Sequence, residues 1–124
     1  MEQLILHLFG DYILQTDWMA KNKTNNIWIA ALHAAVYSTP FLLLSPSVLA
    51  IAVMFATHVV IDRYRLARFV VFAKNKLTDP GLRWVDAHHT GFHKDMPVWL
   101  ATWLLIIVDN TLHITVNYAA LRWL

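Results

Sequence analysis

The strongest constraint on this chain is a set of four apolar runs, each of about the length that crosses a bilayer and each carrying ionisable residues. They occupy residues 4–20, 27–44, 46–62 and 97–124. A helix spanning the hydrocarbon core needs about 17–25 mostly apolar residues, and the second and third runs sit at the short end. Four such helices in water would have to be buried on nearly every side, which 124 residues cannot achieve. The expected fold is therefore all-α, an integral membrane bundle of four helices forming one domain over residues 1–124. Composition agrees: 58% of residues are hydrophobic and 15% charged, against roughly 45–50% and about 25% in soluble domains. Six tryptophans and four tyrosines match the aromatic enrichment of membrane interfaces.

The first run, "LILHLFGDYILQTDWMA", is mixed. His7, Asp11 and Gln15 recur every four residues and share one helical face, with Asp17 close behind. One polar stripe on an apolar helix faces a bundle interior, so this run is expected to enter the membrane, tilted or re-entrant. "SPS" at residues 45–47 is a tight turn that pairs the second and third runs into a hairpin, with a kink expected at Pro40. The third run can continue through "RYRLARFVVFAKN" as an interfacial extension, and Pro97 stands at a first helical position of the fourth.

Charge orients the bundle. Lys21 and Lys23 lie between the first and second runs, and Arg63, Arg65, Arg68, Lys74, Lys76, Arg83 and Lys94 lie between the third and fourth. Alternating spans put both loops on one side, which the positive-inside rule makes cytoplasmic, with both termini outside. The formal charge of +2, confined to these loops, excludes a nucleic-acid binder. No cysteine is present, so any metal site uses His, Asp, Glu, Asn or Gln. The opening residues carry an acid where a signal peptide needs basic ones, so no leader is expected there.

Three imidazole–carboxylate pairs stand one helical turn apart: His7 with Asp11 in "HLFGD", His58 with Asp62 in "HVVID", and Asp109 with His113 in "DNTLH". Chance supplies roughly one such pair in a chain of this make-up. Each lies on a different apolar segment, and His33 adds an imidazole from the remaining one. A single pair is equally a local hydrogen bond, but a set drawn from four helices points to one shared site. Ionisable groups in hydrocarbon cost several kcal/mol each, and a divalent cation is the partner that best offsets this. Helix-borne carboxylate and histidine ligands at i, i+3 or i, i+4 build metal sites in bundle interiors. The candidate ligands are His7, Asp11, His33, His58, Asp62, Asp109 and His113. They suit one or two ions, with Zn²⁺ leading and Mn²⁺ or Fe²⁺ open. Gln15 and Asn110 fall beside the same faces and join the substrate-binding candidates Lys21, Lys23, Arg63 and Arg65. His88, His89 and His93 read as a solvated loop around Gly91.

In combination, "HLFGDYILQTDWMAKNK", His33, "HVVIDRYR" and "DNTLH" resemble domain of unknown function family 3307, small membrane proteins of bacteria and phages. That family is similar in layout to membrane-bound proteins assigned as metal-dependent hydrolases. The resemblance covers nearly the whole chain and implies a metal-dependent hydrolase of the bacterial inner membrane. One departure is Asp109-Asn110, where the family often has Asp-Gln. The expected activity is hydrolysis of a phosphoester in a lipid or another membrane-delivered substrate, with Asp11, Asp62 or Asp109 taking a proton from water. Two rivals use the same residues. One is proton or divalent-cation transport by a homo-oligomer; the other is a non-catalytic membrane protein with a structural metal.

Overall fold

The computed structural model describes all 124 residues, and every regular element in it is helical. Seven α-helices follow one another: α1 (Glu2–Leu8), α2 (Asp17–Asn22), α3 (Ile27–Ser38), α4 (Val48–Tyr64), α5 (Leu66–Thr78), α6 (Trp84–Ala87) and α7 (Val98–Trp123). A π-helical turn, Phe9–Ile13, continues α1, and a 3₁₀ turn, Thr39–Leu44, continues α3. The all-α expectation holds, but the elements are not four plain spans.

The first run is broken. In the π turn Leu14 N–H donates to the Phe9 carbonyl at 3.0 Å, and the chain then leaves helical geometry until Thr16 caps α2. Glu2–Leu8 and Phe9–Ile13 together rise only about 18 Å, short of a ~30 Å hydrocarbon core. The second run is one continuous stretch, α3 giving way to 3₁₀ geometry beside Pro40 and ending at Ser45 in the left-handed region. Asn26 caps α3, its side chain accepting from the Trp28 and Ile29 amides. Two stretches are long and apolar enough to cross a membrane, Ile27–Leu44 and Val98–Trp123. Only 11% of the most apolar window of α7 is buried, far from the enclosure of a soluble core helix. The 17 residues of α4 fall just short of that length. Its continuation is a separate helix, α5, because Arg65 takes a φ of 52° and turns the chain.

Two compact units divide the chain. The first is Met1–Tyr64 with His113–Leu124, the second Arg65–Leu112. In the first, α3 and α4 form the expected hairpin, closed over Tyr37, Phe41, Ala50, Met54 and Ala120 with Leu6 packed against them. In the second, Val71, Phe92 and Ala101 form a small core. Its 86–94 loop is tied to α5 by three side chains: Arg65 donates to the His89 carbonyl, Arg68 to that of His88, and Asn75 to that of Gly91. Gly91 has a φ of 84°, and a Cβ there would strike the Arg68 carbonyl and the Phe72 amide. The side chains of His88, His89 and His93 are exposed, as a solvated loop requires.

Asp86 clamps this loop, accepting from Lys94 at 2.7 Å and from Arg83 at 3.0 Å. Lys94 and then Arg83 hold its carboxyl below the usual carboxylate range. With the folded value depressed, the clamp is complete above the unfolded value of about 4 and weakens as pH falls through the folded one. Amide protection over residues 86–94, corrected for intrinsic exchange, is therefore expected to be full near neutrality and to decline below about pH 4. Asp86→Asn should show the weakened protection at every pH. Equal protection in both proteins would show that the clamp does not hold the loop.

Candidate metal centre

The first unit buries a set of polar residues while many of its large apolar side chains are exposed. On α3, Ala30, His33, Ala34, Tyr37 and Ser38 are buried, and on α4, Ala50, Met54, His58, Ile61 and Asp62. The C-terminal part of α7 adds His113, Asn117 and Ala120, and the α1–π segment adds His7, Gly10 and Asp11. Steps of three and four residues align each set on one helical face. All eight buried polar or charged residues of the chain lie in this unit, while Trp28, Leu32 and Leu49 point outward. That is the pattern of a bundle whose outside meets hydrocarbon.

The side-chain tips of Asp11, His33, His58 and Asp62 converge. Nε2 of His33 lies 3.0 Å from Nε2 of His58 and 3.2 Å from Oδ1 of Asp11. Nε2 of His58 is 3.4 Å from the same Asp11 oxygen and 3.2 Å from Oδ2 of Asp62. That Asp62 oxygen is 3.3 Å from His33 Nε2. Ligand atoms 2.0–2.1 Å from a tetrahedral zinc stand about 3.3 Å apart. Five of the edges of this four-atom figure thus match an ion-sized gap. Two imidazole nitrogens facing each other need a shared proton or a cation between them, and Asp62 Oδ2 is buried without an aligned hydrogen-bond donor. The donor set fits a divalent metal.

A second triad, His58, Asp62 and His113, shares two members with this cluster, and His113 Nε2 is 3.4 Å from Asp62 Oδ1. The two oxygens of Asp62 therefore face different groups. The structure holds two buried His/Asp clusters capable of coordinating a divalent metal.

Around them the rings are held by packing. Tyr37 stacks on His58 with centroids 3.8 Å apart, and His113 lies 4.2 Å from His58 on centroids. The Tyr37 hydroxyl accepts from the Asn117 amide and sits 2.8 Å from Nδ1 of His7. His7 Nδ1 is in turn 3.5 Å from Asp11 Oδ2, the predicted i, i+4 pair. Gly10 makes this possible: a Cβ there would lie 2.7 Å from Tyr37 Cδ2 and 3.1 Å from the Tyr37 carbonyl oxygen. Its absence lets the π turn press onto α3 and deliver Asp11 to His33. π-Helical turns concentrate at functional sites for this kind of reason.

Of the residues singled out in the sequence, His33 and His58 lie within 3.4 Å of Asp11, Asp62 lies against both histidines, His113 lies beside Asp62, and His7 stands behind Asp11. Lys23 joins them, its ammonium 2.8 Å from Asp62 Oδ2 and 3.2 Å from His33 Nε2. Arg63 is one residue past Asp62, and its guanidinium donates to the Thr24 carbonyl at 2.7 Å, fixing the loop that bears Lys23. Asp109 is half-buried on α7, one turn before His113, and belongs to neither triad. Asn110 donates to the Ile106 carbonyl of its own helix. Gln15 is half-buried after the π turn, and Lys21 is exposed on α2. Arg65 serves the 86–94 loop. Tyr37, Asn117 and Gly10 were not anticipated, although Tyr37 and Asn117 each follow a predicted histidine by four residues.

The family model described as "Protein of unknown function (DUF3307)" matches residues 1–122. The chain belongs to this family. The buried cluster of this DUF3307 protein thus comes from segments all lying within the matched region. No curated protein and no solved structure matches the chain.

Proposed function

We propose that this protein is a membrane-embedded metal-dependent hydrolase acting on a phosphoester of a lipid or another membrane-delivered substrate. The observation that carries the reading is the buried triad of Asp11, His33 and His58, its donor atoms 3.0–3.4 Å apart, with Asp62 Oδ2 3.2–3.3 Å from both histidines. Zinc suits that set best, and Mn²⁺ or Fe²⁺ would also be held. The second triad has room in its donor set for a second ion through Asp62 and His113. A divalent metal at this position supplies Lewis acidity and makes water nucleophilic near neutral pH. Asp11 presents Oδ1 to His33 and Oδ2 to His7, so it can hold the site with one oxygen and accept a proton at the other. Asp62 bridges the two triads, and Asp109, one turn from His113, is a further carboxylate for proton transfer.

Depth within the helices supports a headgroup substrate. His33 lies about 9 Å along α3 from its start, and Asp62 is two residues from the end of α4. The cluster therefore sits toward the helix ends that carry Lys21, Lys23 and Arg63, the side the positive-inside rule assigns to the cytoplasm. At the other end, Ala120 is buried with Phe41, Ala50 and Met54. The last turns of α7 thus pack beside the start of α4, in keeping with a C-terminus outside. The interrupted α1–α2 segment then crosses as a broken helix, with His7, Gly10 and Asp11 buried against the bundle.

The test is turnover of phosphorylated lipids by detergent-purified protein loaded with Zn²⁺, Mn²⁺ or Fe²⁺. Asp11→Asn is expected to lower the rate by about 100-fold or more while the thermal transition stays close to that of the wild type. Metal-loaded wild type that cleaves none of them, or an Asp11→Asn rate equal to the wild type's, would overturn the reading.

A further inference from the structure

Lys23 is the one cation within contact of the cluster, and its placement is unusual for a lysine that merely sets topology. Its ammonium is 2.8 Å from Asp62 Oδ2 and 3.2 Å from His33 Nε2, two of the four atoms that outline the metal position. It reaches Asp62 as an ion pair, yet that oxygen has no donor in hydrogen-bond alignment. The side chain is 16% exposed, against 10% for Asp11, 4% for Asp62 and 0–1% for His33 and His58. Lys23 therefore stands on the side of the site nearest the surface. It rises from the C-cap of α2 on the loop that Arg63 pins through the Thr24 carbonyl.

We infer that Lys23 is an exchangeable counter-cation: it neutralises Asp62 while the site lacks metal, yields that place when a divalent ion binds, and then holds an anionic oxygen ligand. The inference rests on the metal reading above. Charge counting carries it. Asp11 and Asp62 bring two negative charges, and Lys23 cancels one of them in the metal-free site. A divalent ion cancels both, which leaves the ammonium in excess beside the metal. A buried positive excess is stable only with an anion, so the site selects a phosphoryl or carboxylate oxygen. The flexible four-carbon stem of lysine permits the move without rearranging the helices.

The experiment uses full-length protein in detergent micelles, stripped of metal and titrated with Zn²⁺ by calorimetry, wild type beside Lys23→Met and Lys23→Arg. Removing a like charge next to the incoming ion is expected to tighten zinc binding at least about tenfold in Lys23→Met. The same change should lower the thermal midpoint of the metal-free protein. Opposite signs on stability and affinity separate an exchangeable cation from a structural lysine, whose loss would weaken both. Lys23→Arg keeps the charge and should bind zinc as the wild type does. If metal-free Lys23→Met does not fold, its recovery on adding zinc supports exchange, and failure to recover overturns it. Equal or weaker zinc binding by Lys23→Met also overturns it, whereas a wild type that binds no zinc removes the metal reading itself.

Inorganic phosphate and micellar phosphatidate are then titrated into the zinc-loaded proteins. The expected result is binding by the wild type that falls at least about tenfold in Lys23→Met. Preference for phosphatidate places the anion on a lipid headgroup, and preference for inorganic phosphate places it in free solution. Anion binding that is unchanged in Lys23→Met overturns the last step.

Discussion

Detergent-purified wild-type protein is expected to carry one or two equivalents of a transition metal per chain, and His58→Ala is expected to carry essentially none. His58 belongs to both triads, is almost fully buried, and sends Nε2 to within 3.4 Å of Asp11, His33 and Asp62. Its removal takes a donor from both candidate positions at once. Loss of a partner that only orients a ligand costs about 10–100-fold in metal affinity, so loss of a shared ligand should exceed about 100-fold. It also leaves two carboxylates facing each other across a cavity, with Lys23 as their one contacting cation. The ring space beside Tyr37 adds about 2–4 kcal/mol of destabilisation by the cost of emptying a packed site. Asp11→Asn keeps the volume and should lose metal with little loss of fold. Asp109→Asn lies outside both triads and is expected to retain metal at the wild-type ratio. Elemental analysis of the four proteins, with near-ultraviolet circular dichroism as a check on folding, decides the matter. Folded wild type without metal would return the buried pairs to a hydrogen-bonded network or a proton relay.

Much of this centre was legible because helices write their buried faces with a fixed period. His58 and Asp62 lie four apart, as do His7 and Asp11, and burial of both members in each pair follows from that spacing. The hairpin of α3 and α4 was likewise readable from two apolar runs and "SPS". The break after Ile13 was not, since a π turn depends on how closely two helices approach rather than on local propensity. Its one sequence trace is Gly10, and a glycine in an apolar run does not announce which neighbour it accommodates. Asp109 shows the opposite difficulty. Its spacing to His113 repeats the other pairs, yet period alone cannot tell whether a carboxylate one turn away reaches the same point in space. Lys23 was readable as a cation at a membrane boundary, but its contact with Asp62 depends on the 22–26 turn that Arg63 fixes. The separate helix α5 follows from the left-handed backbone of Arg65, which no composition rule foretells for an arginine.

The approach of the π turn to α3 gives the second large effect. Gly10→Val is expected to destabilise the protein by about 3 kcal/mol or more and to lower metal affinity more than about 100-fold. The Cβ alone would press 2.7 Å from Tyr37 Cδ2 and 3.1 Å from the carbonyl oxygen of the same residue. Tyr37 cannot retreat easily, because it is fully buried, stacked on His58 and hydrogen-bonded through its hydroxyl. Two branches added to that carbon deepen the collision, so the π turn must move away from α3. Asp11 moves with it, and its 3.2 Å contact with His33 is lost. Gly10→Ala should show the same signs at smaller size, since it adds the one carbon without the two branches that valine carries. Combining Tyr37→Phe with Gly10→Val leaves the ring clash in place and is expected to restore nothing. Tyr37→Ala with Gly10→Val opens the ring's space and should recover part of the metal affinity while costing core packing. Calorimetric zinc titration of these variants separates delivery of Asp11 from general stability, because a Gly10→Val protein that melts early yet binds zinc at full strength would show that the close approach serves the fold and not the site.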